Sequence, residues 1–176
     1  MKTLGRTLKA KAFCFTHYEV QRESYKTKKT GNFDLLECPD WVNVVAITKD
    51  QEVILVKQYR HGIDDMTLEV PAGTIEKNEE PLVAAKRELE EETGFVSENW
   101  TYMGKVTPNP AFISNFCHFY VALDCEKKSE QNLDPFEEIE ILLRPKADIE
   151  QMLSSEEIHH ALCVCAFQRY FSQKNL

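Results

Sequence analysis

A chain of 176 residues with 43% hydrophobic content is long enough to bury one ordinary core and requires no second domain. Its net charge of −8 argues against a nucleic-acid surface, which needs a basic stripe, but admits a polyanionic small substrate if metals screen the site. The six cysteines (Cys14, Cys38, Cys117, Cys125, Cys163 and Cys165) show no C-x-x-C and no zinc-like pairing, and no signal-peptide run or stretch of 18 apolar residues occurs, so a soluble cytoplasmic protein with reduced thiols and no membrane partner is expected.

Residues 8–25 alternate apolar and polar, with Phe13, Phe15 and Tyr18 prominent, and suit one or two strands; a basic turn ending in Gly31-Asn32 precedes a further short strand over Phe33–Glu37. Residues 1–40 are therefore read as an N-terminal strand region and 41–176 as the main body of a single domain. The β-rich runs from Trp41 to Thr48 and from Glu52 to Tyr59 flank Lys49-Asp50-Gln51 and predict two central strands joined as a hairpin. Trp41, at the mouth of the first, is placed either to stack on a base or sugar or simply to pack. Gln58-Tyr59-Arg60 follows, with His61 read as structural, and Leu68-Glu69-Val70-Pro71-Ala72-Gly73 leads into the most distinctive stretch of the chain.

That stretch runs from Gly73 to Phe95. Pro81 suits a first helical turn and Gly94 a left-handed stop, which predicts a helix over about Glu80–Thr93. At about 100° per residue, Glu88, Glu91 and Glu92 share one edge, while Leu82, Ala85 and Leu89 share the neighbouring one. Carboxylates at i, i+3 and i+4 repel one another and lie at the wrong end of the helix dipole. Arg87, at i−4 to Glu91, offsets part of this. The natural remainder is a hard divalent cation, since Mg²⁺ binds through carboxylates together with substrate phosphates, with Mn²⁺ as the alternative ion.

Past the helix, Trp100–Val106 predicts a strand, the run from Thr107 to Ala122 a loop containing Pro110 followed by a further strand, and Glu126–Glu130 reads as a surface turn. Asn132–Glu138 is an acidic loop passing into a strand in which Glu140 is structural. Residues 147–153 predict a short helix. Ser154-Ser-Glu-Glu157 has the form of a capping box, which would open a final helix carrying Ile158, Leu162, Cys165, Ala166 and Tyr170, and His159-His160 reads as surface.

Gly73, Glu79, Arg87, Glu88, Leu89, Glu91, Glu92, Gly94 and Phe95 match G-x5-E-x7-R-E-U-x-E-E-x-G-U, with U apolar, at every fixed position. The chain thus resembles the Nudix hydrolases, specifically over 73–95 and through element order over about 40–145. The segment before the box is similar to the E-x-P-A-G of the group acting on ADP-ribose and nucleotide sugars. The resemblance implies an α/β fold, the Nudix α/β/α sandwich with a mixed β-sheet and extra N-terminal strands at one edge.

It also implies roles. Metal would be held by Glu88, Glu91, Glu92 and the Ala72 carbonyl, and Arg60 would contact the substrate's phosphates, with Glu69 either assisting the metal or, by preference, orienting Arg60. Pro110 would mark the ADP-ribose group, because dinucleoside polyphosphate hydrolases tend to carry a Tyr slightly beyond it, where Phe112 and Ile113 stand here. Glu137, with Glu138 as runner-up, would be the loop carboxylate that activates water beside Glu92, and the N-terminal strands would mediate a homodimer. The expected activity is Mg-dependent hydrolysis of the diphosphate bridge of ADP-ribose or a nucleotide sugar. A hydrolase of dinucleoside polyphosphates and a non-catalytic nucleotide-binding regulator of the same fold are the alternatives.

Overall fold

In the computed structural model, which describes residues 1–173, the chain forms two compact units, one of residues 1–40 with 106–116 and one of 41–105 with residues from 117 onward. In the first unit, β1 (Lys2–Lys11), β2 (Thr16–Glu23) and β3 (Thr30–Glu37) form a three-stranded antiparallel sheet in that order. These strands were expected as additions to an edge of the main sheet; they instead pair among themselves, with β2 satisfied on both sides. The 106–116 segment joins them through the bridge between Leu36 and Ile113.

The second unit carries an eight-stranded mixed sheet. β4 (Trp41–Thr48) lies between β5 (Glu52–Arg60), antiparallel to it, and β10 (Cys117–Lys127), parallel to it, and β11 (Ile139–Pro145) borders β5. Three further strands branch from this path: β6 (Asp65–Glu69) on β5, β7 (Ala72–Thr74) on β4 and β9 (Asn99–Val106) on β10, with the short β8 (Phe95–Val96) at the end of β10. The hairpin between β4 and β5 turns at Gln51, whose φ is 61°.

Every residue of β4 after Trp41 is buried, as a strand covered on both faces must be. Successive side chains point to opposite faces. Val42, Val44 and Ala46 join Ala84, Ala85 and Leu89 of α1 (Pro81–Thr93) in one core cluster, while Asn43 meets Cys163 of α3 (Ala161–Ser172) on the other. Helix, mixed sheet and helix make the α/β/α sandwich expected from the sequence.

The expected capping box at Ser154 does not form. α2 (Ile149–Ser154), entered through a 3-10 turn at Lys146–Asp148, ends there, and the Ser154 hydroxyl donates back to the Glu150 carbonyl. Glu156 adopts φ 62°, and Ile158 is buried at 1% exposure with its amide donating to the Met152 carbonyl, so the chain plugs the core before α3 starts at Ala161. Among the described residues, no helix is long and apolar enough to cross a membrane.

Candidate functional site

Helix α1 begins at Pro81, after Glu80, and stops at Gly94, whose φ is 71°. The last carbonyls of a helix have no partner within it. Here those of Glu91 and Glu92 accept the Asn132 amide at 2.8 Å and the Gln131 side-chain amide at 2.8 Å, and Gly94 accepts from Lys128 and Ser129. Gln131 Nε2 also donates to the Ile139 carbonyl at 3.1 Å. The acidic loop is therefore pinned at both ends beside the C-terminal half of α1. Sequence reasoning missed Gln131, since a single glutamine in a loop carries no motif.

Arg87 gathers the charges along α1. Its Nε donates to Glu79 Oε1 at 2.9 Å, Nη1 to Glu88 at 2.8 Å and Glu91 at 3.0 Å, and Nη2 to the Thr74 carbonyl at 3.0 Å. This explains why the motif spaces a glutamate eight residues before the arginine: Glu79 anchors the guanidinium from the loop side. Burial pushes the Glu88 carboxyl above the ordinary range despite Arg87, and repulsion from Glu91 and Glu137 adds to the rise.

Glu92 is 5% exposed, and its Oε2 accepts the Ala72 amide at 3.0 Å. Burial raises its carboxyl well above the usual value of 4.5, and Glu88 and Glu137 raise it further, against the Ala72 amide and Arg60. Three mutually repelling carboxylates, with Arg87 on Glu88 and Glu91 and only the more distant field of Arg60 on buried Glu92, are short of positive charge. An all-oxygen set of this kind fits a hard divalent ion, and Glu88, Glu91 and Glu92 are the side chains that would hold it. The contact observed for Ala72 runs through its amide to Glu92. Glu137 is exposed, its carboxylate accepts the Asp134 amide at 3.2 Å, and its field reaches both Glu88 and Glu92.

On the other side of Ala72-Gly73 lies a cleft of about 570 Å³, lined among others by Trp41, Arg60, Glu69, Ala72, Gly73 and His160. The Glu88 carboxylate lies directly against Gly73, where a Cβ would overlap all three of its atoms. In the β5–β6 hairpin Arg60 and Glu69 face the same way, and Glu69, wholly buried, accepts from Arg60 Nε and Nη2 at 2.6 Å each. Burial alone would raise the Glu69 carboxyl and lower the Arg60 guanidinium; the two-pronged pair outweighs it and holds the carboxyl below its ordinary range and the guanidinium above. Thr67 Oγ1 also donates to Glu69.

Trp41, Arg60, Ala72 and the α1 carboxylates thus come together in the second unit. Pro110 is exposed and belongs to the first. His160, read from sequence as surface, is half-buried, with Nδ1 3.5 Å from Glu69 Oε2.

The sequence profile of the NUDIX domain matches residues 39–164. Over 141 residues the chain is 33% identical to the methanol dehydrogenase activator of Bacillus methanolicus, covering 80% of this chain and 76% of that protein. It is 32% identical over 141 residues to the ADP-ribose pyrophosphatase of Bacillus subtilis, again 80% of this chain and 76% of the relative. A crystal structure of an ADP compounds hydrolase superposes with a TM-score of 0.85 at 26% identity, over 96% of this chain and 91% of that one.

Proposed function

Since the chain belongs to the Nudix family of hydrolases, we propose that it cleaves the diphosphate bridge of ADP-ribose or a nucleotide sugar, with Mg²⁺ as its metal, releasing a nucleoside monophosphate and a sugar phosphate. The observation that carries this reading is the strip Ala72-Gly73, which has the Arg60 cleft on one side and the Glu88 and Glu92 carboxylates on the other. A diphosphate lying across it would meet a guanidinium and the metal-binding edge together. The similarity to proteins named ADP-ribose pyrophosphatase and ADP-sugar pyrophosphatase supports the substrate class.

Glu88, Glu91 and Glu92, with the Ala72 carbonyl, would hold the metal. When bound, the ion neutralises phosphate charge and lowers the pKa of a bound water. Arg60, with Nε and one Nη2 proton committed to Glu69, offers the rest of its five-donor fork to phosphate oxygens. Trp41 lines the same cleft and offers a flat face to the base or sugar. Glu137 takes the proton from the attacking water onto its carboxylate, a role favoured over Glu138 by the reach of its field to Glu88 and Glu92. Arg87 orients Glu88 and Glu91 and stays out of contact with substrate.

A homodimer belongs to this reading, because β1 is exposed along its whole length and, among the described residues, pairs with β2 alone, an edge that a second copy would cover. So does a cytoplasmic location, in keeping with six free thiols.

The test is phosphatase-coupled phosphate release from ADP-ribose, nucleotide sugars and dinucleoside polyphosphates, each with Mg²⁺ and with chelator. Release from ADP-ribose or a nucleotide sugar that chelator abolishes is the expected result. Near-normal turnover in a Glu91→Gln, Glu92→Gln double variant would defeat the metal assignment. Binding of ADP-ribose without any turnover would favour the regulator.

A further inference from the structure

Beside Glu69 stand two side chains that the proposed hydrolysis does not use, one lining the cleft and one behind it in the core. His160 is the extended residue immediately before α3, and Cys163 is three residues on, in the first turn of that helix. His160 Nδ1 lies 3.4 Å from Cys163 Sγ and 3.5 Å from Glu69 Oε2, and one ligand atom from each of the three residues lies within 4.8 Å of the others. Tetrahedral zinc, with bonds of about 2.3 Å to sulfur and about 2.0–2.1 Å to nitrogen or oxygen, requires a nitrogen–sulfur edge of about 3.5 Å and a nitrogen–oxygen edge of about 3.3 Å. Both observed edges are within about 0.2 Å of those values, and the third, from sulfur to oxygen, lies within 4.8 Å, so the set closes on an ion with a modest inward shift of one side chain.

The donor chemistry agrees with the geometry. One sulfur, one imidazole nitrogen and one carboxylate oxygen form a borderline-soft set, unlike the all-oxygen edge of α1, and three protein ligands leave the fourth position for water. Half-buried His160 lines the cleft and gives an ion a route in towards the buried Glu69 carboxylate beside it, and Cys163 closes the site from the core, where it is wholly buried. The Asn43 side-chain amide, 3.9 Å from Cys163 Sγ, is in place to support a thiolate from behind.

We propose that Glu69, His160 and Cys163 form a second metal site, distinct from the α1 carboxylates, that takes a borderline-soft divalent ion such as Zn²⁺ from the cleft. The Cys163 S–H bond breaks as the sulfur–metal bond forms, and the proton leaves to solvent. Thiolate and Glu69 carboxylate then offset the ion's two charges. Because Glu69 Oε2 also receives the Arg60 Nη2 proton at 2.6 Å, an ion bound there leaves Arg60 held through Oε1 alone. Occupancy therefore loosens the guanidinium that faces the substrate, a consequence that rests on the phosphate-binding role proposed for Arg60.

The probe is Co²⁺ titrated into the metal-free full chain without Mg²⁺, where thiolate ligation gives a sulfur-to-metal charge-transfer band. A band saturating at one equivalent is expected. It should vanish in Cys163→Ala and in His160→Ala, both checked for folding by circular dichroism, and persist in Glu92→Gln and in Cys14→Ser, Cys38→Ser. No band in the parent chain, or an undiminished one in Cys163→Ala, would overturn the site. In a second arm, stoichiometric Zn²⁺ should raise the KM of Mg²⁺-dependent hydrolysis by about tenfold in the parent chain and leave that of Cys163→Ala unchanged. A KM indifferent to zinc would remove the coupling to Arg60. The cobalt band decides the site even if hydrolysis itself is not found.

Discussion

Gly73→Ala separates metal-site geometry from fold stability. Gly73 does not have a positive φ, so alanine is permitted by the backbone. The new methyl group would nevertheless overlap the Glu88 carboxyl carbon and both its oxygens. Ordinary contact between heavy atoms begins near 3.5 Å, so the carboxylate must retreat by more than about 1 Å. It can do so by rotating its own side chain, because the three nearest atoms are the end of a flexible residue on α1.

The stability cost is accordingly small: a shifted Arg87–Glu88 contact, set against the about 0.4–1 kcal/mol that replacing glycine returns through the unfolded chain. At roughly 2–4 °C per kcal/mol for a domain of this size, Tm should stay within about 4 °C. Activity should not survive so well, since a misplacement of about 1 Å at a reacting centre can cost on the order of 100-fold. Mg²⁺ titrations of the coupled phosphate assay should show kcat lowered by about two orders of magnitude and a weakened metal requirement, with the melting curve nearly unmoved. Parent-like kcat would refute the assignment of Glu88 as a ligand. A Tm loss above 10 °C would show that the strip cannot relax as argued.

Gly94→Ala should behave in the opposite way: its φ of 71° and the Ser129 carbonyl against its Cβ position involve backbone, so a loss of about 2–4 kcal/mol, roughly 5–15 °C in Tm, is expected by calorimetry. Gln131→Ala unpins the loop from Glu92 and Ile139 and should lower kcat about 10–100-fold with little change in KM; unchanged kcat would remove the loop from the mechanism. The carboxylates of the metal-free protein should make it lose stability as pH rises above 4.5, against the smaller opposite contribution of His160, whose imidazole is held below 6.5 by burial. Burial holds the Glu92 carboxyl well above 4.5, with Glu88 shifted the same way, so above pH 4.5 the folded state binds more protons than the unfolded chain, and stability falls as pH climbs through the raised values. Glu69 and Glu79, whose carboxyls lie below 4.5, lose their contribution only under more acidic conditions. Melting curves of Glu92→Gln should be flatter across that range and higher at pH 7, and an equally steep dependence would place the titration elsewhere.

Much of the architecture was legible because its signals are local. The proline and glycine that bound α1, the apolar runs of β4 and β5 and the turn at Gln51 each act within a few residues, so spacing alone identified them. The Ser154 capping box failed for a non-local reason: burial of Ile158 outweighed one hydroxyl-to-amide hydrogen bond, and the chain turned instead of continuing as helix. The edge expected for the N-terminal strands failed similarly, since pairing partners are chosen by the whole sheet and a strand's own pattern does not name them.

What the sequence determined by itself was the acidic edge of α1, because helical periodicity fixes the bearing of Glu88, Glu91 and Glu92 wherever the helix packs. The resemblance already pointed to Glu69 orienting Arg60, whereas only the folded chain could bring the Ala72 amide against Glu92, Gln131 across to Ile139, or His160 and Cys163 to the same carboxylate. Those approaches join residues from 8 to 94 positions apart, and they depend on how the elements pack and which side chains lose their water, quantities that no short window of sequence contains.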